Sequence, residues 1–148
     1  MNKKNKILLV TTSTDEVIIS TVIKENKTGM KTTDDNSHYP LGLAYLHSYL
    51  EYSGNQVETL FLNNYDNQFC FNKVVETVNQ LSPDIVGFQI LTQNRSSTYR
   101  LIEYLHQNHP GIKIVIGGIH TTMLYRQLLG KFPFVVAIIG EGEITFSE

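Results

Sequence analysis

The feature that most narrows what this chain can fold into is a repeated switch of hydrophobic period. Short β-branched runs stand at Lys6–Thr12, Gln56–Phe61, Asp84–Leu91, Lys113–Ile116 and Phe134–Ile139. Between them apolar residues return at three and four: Leu43, Leu46 and Leu50, then Val74, Val78 and Leu81, then Thr98, Leu101/Ile102 and Leu105. The first pattern belongs to strands and the second to helices. Gly54 follows the first helical stretch, and Pro83, Pro110 and Pro133 each stand just before a strand, where proline stops a helix. Ile85–Ile90 and Ile112–Ile116 are almost continuously apolar, as strands are when helices cover both faces of a parallel sheet. Strand–helix repeats with short connections predict an α/β fold, a doubly wound sheet of five parallel strands.

Size and charge limit the rest. The chain has 148 residues, about one domain's worth. Its 12 Lys+Arg and 14 Asp+Glu leave a net charge of -2. Nucleic acid as main partner is thereby disfavoured, because phosphate neutralisation needs a basic surplus. Cys70 is the single cysteine, which excludes an internal disulfide or a cluster held by several thiolates. No apolar run approaches the ~20 residues that span a bilayer. The Lys-rich start leads straight into Ile7–Val10, too short for a signal segment. A cytoplasmic domain with no membrane partner is the expectation.

Two regions depart from the simple repeat. About thirty residues separate Val10 from the helix beginning near Leu41, and a connection that long in a compact domain is usually functional or disordered. Val17–Ile19 could give it a short element of its own. At the other end, Glu141–Glu148 reads as the opening turn of a fifth helix. Natural domains rarely end there, so residues 1–148 are expected to be one domain, the N-terminal piece of a longer protein.

In an open α/β sheet, ligands bind beyond the carboxyl ends of the strands, where strand order reverses. Those ends carry Thr11, Thr12 and Ser13; Leu91, Thr92, Gln93 and Asn94; Gly117, Gly118 and His120; and Gly140, Glu141, Gly142 and Glu143. They contain no Ser–His–Asp set and no metal-ligand spacing. Small hydroxyl residues, amides and glycines admit a ligand close to the backbone and hydrogen-bond it without acid–base chemistry. The expectation is a binding cradle with no catalytic residue and no metal ligand. Plainer readings exist for each part. Gly117–Gly118 lacks the full dinucleotide fingerprint and would serve as a tight turn. Asn94 or Ser96 would cap the next helix, and Glu141 and Glu143 suit a helix N-terminus. Tyr45, Tyr49 and Tyr52, at helical spacing, would be packing. His106 and His109, at a helix end, would be solvated surface.

Taken together and in order, the motifs say more. They are Tyr39-Pro-Leu-Gly-Leu-Ala-Tyr-Leu-His-Ser-Tyr-Leu-Glu-Tyr-Ser-Gly54, Ser82-Pro-Asp-Ile-Val-Gly-Phe88, Leu91-Thr-Gln-Asn94, Ile116-Gly-Gly-Ile-His-Thr121 and Ile139-Gly-Glu-Gly-Glu143. The series resembles the N-terminal cobalamin-binding domain of cobalamin-dependent radical S-adenosylmethionine enzymes. Anaerobic magnesium-protoporphyrin monomethyl ester cyclases and related methyltransferases are among them. The resemblance runs from Ile7 to Phe146 and implies a Rossmann-like, flavodoxin-like cobalamin-binding fold. It implies cobalamin as cofactor. In a C-terminal radical S-adenosylmethionine domain of the same chain it implies a 4Fe-4S cluster and S-adenosylmethionine. The Cys-x-x-x-Cys-x-x-Cys segment of such a domain is not in this sequence, so this part is expected to bind cofactor without turning over.

Cobalamin-binding domains at large carry Asp-x-His-x-x-Gly after strand one, Ser-x-Leu at the end of strand three and Gly-Gly after strand four. Gly117–Gly118 matches the last. Gln89-Ile90-Leu91 puts glutamine where the serine stands, so the hydroxyl contact is expected from elsewhere, with Thr92 the candidate. Thr11-Thr12-Ser13-Thr14-Asp15 holds no histidine. The resemblance therefore implies cobalamin bound base-off, its dimethylbenzimidazole tail displaced and no histidine on the cobalt. Only His38 and His120 come near the strand tips, and His120 is expected to hydrogen-bond the phosphate or a carboxamide. The flat, mostly apolar tail needs a slot between strands one and three closed by residues without side chains, which suits Gly117 and Gly118. The loops Thr11–Ser13 and Leu91–Asn94 would flank it, the long first loop ending in Tyr39–Gly42 would cover the corrin, and Glu141 and Gly142 complete the expected set. Three rivals share the fold. A flavodoxin-like FMN module would use Thr11–Thr14 as phosphate loop, but Asp15 and Glu16 follow at once and no helix starts there. A phospho-receiver would need acidic residues that these strand ends lack. A cofactor-less domain would bind a protein partner instead.

Overall fold

The structure, a computed structural model, describes residues 4–14, 24–25, 31–32 and 40–147. Lys6–Thr11 forms the central strand, β1, and every residue after Lys6 is buried. Alternation along it sends Leu8 and Val10 into one core and Ile7 and Leu9 into another. A strand needing cover on both faces requires helices on both, and the chain supplies them. Two short strands, β2 (Lys24–Glu25) and β3 (Lys31–Thr32), pair antiparallel within the long first connection. Then follow α1 (Leu41–Tyr52), β4 (Gln56–Phe61), α2 (Asn67–Leu81), β5 (Ile85–Gln89), a 3-10 turn at Thr92–Asn94, α3 (Arg95–Asn108), β6 (Lys113–Gly117), α4 (Ile119–Lys131), β7 (Val136–Ala137) and α5 (Glu143–Ser147).

The sheet order is β4-β1-β5-β6-β7, with every pairing parallel. From β1 the chain steps outward to β4, then returns past β1 to β5. Strand order therefore reverses between β1 and β5, and a crevice opens at their carboxyl ends. The larger core joins Leu8, Val10, Val86, Phe88 and Ile90 to Val74 and Val78 of α2, Leu101, Ile102 and Leu105 of α3, and Leu128 of α4. The smaller core joins Ile7 and Leu9 to Leu43 and Leu50 of α1, with Phe146 of α5 packed against it. Each fully buried Leu or Val contributes roughly 1.5–3 kcal/mol of transfer free energy, so the two cores clamp the sheet from both sides.

The doubly wound five-stranded sheet is thus as expected, and local chemistry explains most element ends. The Asp66 carboxylate caps α2 by accepting the Phe69 N–H at 2.7 Å. Ser82 ends the same helix at φ 48, just before Pro83. The expected last strand, Phe134–Ile139, shortens to two paired residues, because only β6 lies beside it and Val136 is exposed. The tyrosine stripe of α1 is a correction. Tyr45 and Tyr52 are 63% and 92% exposed, because Leu43, Leu46 and Leu50 take the inward side of that helix. Val17–Ile19, Asp15, Glu16, His38 and Tyr39 lie outside the described residues.

Candidate functional site

Two kinds of structure meet at the carboxyl edge of the sheet. The first is a closed polar network. Thr12 and Ser13, directly after β1, are fully buried. The Thr12 Oγ1 lies 2.7 Å from Thr98 Oγ1 and 2.9 Å from Ser97 Oγ, and donates to the Asn94 carbonyl at 3.3 Å. Ser97 Oγ donates to the carbonyls of Ser13 at 2.7 Å and Asn94 at 3.0 Å. Ser13 Oγ donates to the Tyr65 carbonyl at 2.6 Å. Asn94 stands at the N-cap position of α3 but folds its side chain back over the 3-10 turn. Its Oδ1 accepts the Leu91 N–H at 2.8 Å and its Nδ2 donates to the Gln89 carbonyl at 3.1 Å. Thr11 is buried within the ladder, where its carbonyl accepts the Leu62 N–H.

His120 belongs to a second closed set. It is buried, with Nδ1 at 3.2 Å from Thr92 Oγ1 and Nε2 at 2.9 Å from the Tyr99 hydroxyl. Burial, helped by the nearby Arg95 charge, holds its pKa below the ordinary histidine value of 6.5. The Tyr99 hydroxyl is pushed up by the same desolvation, which Arg95 partly opposes. Arg95 donates to the Thr92 carbonyl at 2.6 Å, and the Lys131 ammonium lies 5.1 Å from the Tyr99 ring. Gln93 is exposed and Leu91 half-buried beside this turn.

The other kind of structure is open. A cavity of about 160 Å³ lies between the sheet and helices α1 and α5. Its walls include Leu9, Leu43, Leu46 and Phe146, and its floor is glycine: Gly87 from β5, and Gly117 and Gly118 from β6 and the turn after it. A Cβ on Gly87 would sit 2.9 Å from Leu9 Cδ2 and 3.0 Å from Phe146 Cε2. Gly118, at φ +94, would place one 2.8 Å from the Ile90 carbonyl oxygen. A Cβ on Gly117 meets only Ile138, at 4.0 Å, so a larger side chain there has the cavity as its free space. For scale, an engineered cavity of ~150 Å³ holds one benzene ring. Glu141, Gly142 and Glu143 form part of the rim.

One polar atom in this cavity wall has no hydrogen-bond partner among the described residues: Oε1 of Gln89 is buried and unsatisfied. Burial of an amide oxygen without a partner costs about 1–3 kcal/mol.

Of the eleven residues expected at the site, Gly117, Gly118, Glu141 and Gly142 line the cavity. Thr11, Thr12, Ser13, Leu91, Thr92, Gln93 and His120 do not, and the hydroxyls of Thr12, Ser13 and Thr92 are engaged elsewhere. Gly87 and Phe146 were missed as lining residues. A lone glycine inside an apolar strand run is the signal that marks Gly87. Nothing local marks Phe146, whose place depends on α5 folding back over β5. No group of three or more His, Cys, Asp or Glu that could hold a metal ion occurs among the described residues. His106 stacks on Phe134 with ring centroids 3.5 Å apart, and Cys70 is buried in the larger core.

The comparisons with known proteins agree with this fold. The family model for the B12 binding domain matches residues 27–148. The chain belongs to the B12-binding domain family. Anaerobic magnesium-protoporphyrin IX monomethyl ester cyclase of Rubrivivax gelatinosus is 35% identical over 105 residues, covering 70% of this chain and 19% of that protein. Cytidylyl-2-hydroxyethylphosphonate methyltransferase of Streptomyces wedmorensis is 28% identical over 124 residues, covering 73% and 23%. Among solved structures, the cobalamin-dependent S-adenosylmethionine radical enzyme OxsB with aqua-cobalamin bound superposes with a TM-score of 0.70 at 18% identity. That match covers 97% of this B12-binding domain and 18% of OxsB, and it shows the shared fold. The chain spans about a fifth of the length of these relatives. Family membership supports cobalamin as the ligand of the domain. Among the described residues, no helix is long and apolar enough to cross a membrane.

Proposed function

We propose that this B12-binding domain holds cobalamin base-off, with the nucleotide tail in the glycine-floored cavity and no histidine on the cobalt. It would do so as the cofactor-carrying module of a radical S-adenosylmethionine enzyme of cyclase or methyltransferase type. The observation that carries the reading is the cavity itself. It lies at the carboxyl ends of β5 and β6, beside the strand-order reversal, and has glycine where a flat ring must approach the backbone. Leu9, Leu43, Leu46 and Phe146 give it apolar walls and Glu141 and Glu143 a polar rim, which fits a flat base on a sugar-phosphate arm.

In this reading Gly87, Gly117 and Gly118 form the floor of the slot, Leu9 and Phe146 its apolar walls, and Glu141 and Gly142 its rim. The Thr11–Ser13 and Leu91–Asn94 loops act one step back, by fixing the shape of the edge. His120 has both ring nitrogens bonded to Thr92 and Tyr99, so it supports the turn after β6 and leaves the metal to others. Bound cobalamin supplies a cobalt centre for methyl transfer or one-electron chemistry. The iron–sulfur cluster and S-adenosylmethionine would belong to another domain of the longer protein. The buried, internally bonded hydroxyls of Thr12 and Ser13 weigh against the FMN alternative, which needs them free for phosphate.

The test is a titration of the purified protein with hydroxocobalamin. A retained, coloured complex with a base-off absorption spectrum is expected. Paramagnetic resonance of the cob(II)alamin form should show single high-field lines, because a coordinated nitrogen would split each into three. Retention of FMN with no uptake of cobalamin overturns the reading.

A further inference from the structure

Two helices close the cavity on its outer side, and they are held in place very differently. Helix α1 has 12 residues, with Leu43 and Leu50 buried in the smaller core. Helix α5 has 5, of which Ile144 is exposed while Phe146 packs against that core. The Phe146 ring lies on bare backbone: Cε2 and Cζ come within 3.0 and 3.1 Å of where a Cβ on Gly87 would stand. Gly87 is thus covered by a ring of the protein's own, whereas a Cβ on Gly117, further along the floor, meets only Ile138. The segment leading into α5 is built to turn. Gly140, at φ +75, is tied to α4, its N–H donating to Thr122 Oγ1 at 3.0 Å. Gly142 belongs to the α5 side, its carbonyl accepting the Phe146 N–H at 2.8 Å. Between these two glycines stands Glu141, which is exposed. Glycine on both sides leaves the backbone free to rotate there. A short helix anchored through a half-buried ring is the part of this wall that opens most readily.

We propose that α5 is a hinged gate on the slot. It pivots at Gly140–Gly142, lifts the Phe146 ring off Gly87 to admit the nucleotide tail of cobalamin, and closes again beside it. The proposal rests on reading the cavity as the tail slot. A gate and a rigid wall differ in kinetics. A wall governs how long a ligand stays, whereas a gate also limits how fast it enters. The tail enters from the open form, so a change that weakens the closed form raises the rate of entry. The corrin, outside the slot, does not pass the gate.

Phe146→Ala tests this in the 148-residue chain. Stopped-flow absorption follows uptake of hydroxocobalamin and of cobinamide, which has the corrin but no nucleotide tail, and displacement gives the release rates. For cobalamin, uptake should be about tenfold faster and release faster by at least as much. Cobinamide rates should match wild type. Faster release with unchanged or slower uptake makes Phe146 a fixed wall and overturns the gate while the slot stands. Equal changes for both corrinoids overturn it as well. Gly142→Ala gives a second reading that leaves the ring in place, since its Cβ meets Ile138 Cγ2 at an ordinary 3.7 Å. Alanine stiffens the pivot, so cobalamin uptake and release should both slow by about two- to threefold. Unchanged rates in that variant overturn the hinge. A wild type that binds neither corrinoid overturns the function itself along with the gate.

Discussion

The loops that follow β1 and β6 reach the same edge of the sheet but handle their polar groups in opposite ways. After β1, Thr12 and Ser13 are buried and their hydroxyls are bonded to α3 and to the Tyr65 carbonyl. After β6, Gly117 and Gly118 present bare backbone to a cavity, and the Gln89 amide oxygen beside them is buried without a partner among the described residues. Both stretches look polar and ligand-friendly as sequence. Of the two, the second lines the cavity. A hydroxyl at a strand tip is a binding group only if the fold has not already used it.

Four substitutions or conditions sharpen or break that contrast. The largest effect is expected at Gly118. Gly118→Val forces a side chain into φ +94 with its Cβ 2.8 Å from the Ile90 carbonyl oxygen. Backbone strain and overpacking together should cost on the order of 3 kcal/mol, visible as a lower urea midpoint at unchanged slope. A variant as stable as wild type would show that the turn relaxes freely. Gly118 is therefore a poor probe of binding, and Gly117 is the clean one.

Gly117→Val points its branched side chain into open cavity, with only Ile138 within 4.0 Å. Cobalamin affinity should fall by roughly 30–100-fold, corresponding to the 2–3 kcal/mol of an overpacked site. Far-UV dichroism should stay the same. Wild-type affinity in this folded variant would remove the cavity as the tail site.

Thr12→Val tests the other loop with the opposite pattern. Loss of a buried hydroxyl contacting Thr98, Ser97 and Asn94 should lower stability by about 1–2 kcal/mol. Cobalamin affinity of the folded variant should remain within about twofold of wild type. A tenfold affinity loss there would return the β1 loop to the binding surface.

The smallest effect concerns pH. His120 has a folded pKa below its ordinary 6.5, so between those values the unfolded chain holds more protons than the folded one. Stability is fully present above 6.5 and falls as pH drops through the folded value. The slope should flatten in His120→Asn, measured by urea midpoints near pH 7.5 and pH 5.5. An equal acid loss in both proteins would assign it to other groups.

Much of this was legible in the residues. The interchange of period-two and period-3.6 patterning, with Pro83 and Gly54 as stops, was enough for five strands in a doubly wound sheet. Burial on a strand or helix is a local property of side-chain order, so it survives in a linear string. The glycine pair after β6 was legible for the same reason, because a missing side chain needs no partner to be informative. The tyrosines of α1 mislead because spacing reveals a face without revealing which way it points, and Leu43 and Leu50 took the inside.

The hydrogen-bond economy of the edge was decided only by tertiary structure. Thr12 finds Asn94 and Thr98, 82 and 86 residues away, and Ser13 finds Tyr65, 52 residues away. Whether a hydroxyl is free depends on which strand and helix ends arrive beside it, and that follows from the sheet order β4-β1-β5-β6-β7. The residue pattern alone determined a parallel sheet with a glycine-marked tip. The packing of α1, α5 and α3 against that sheet determined which tip became a cavity, because α3 closes the β1 tip while Phe146 and Leu43 meet Gly87, Gly117 and Gly118 across open space.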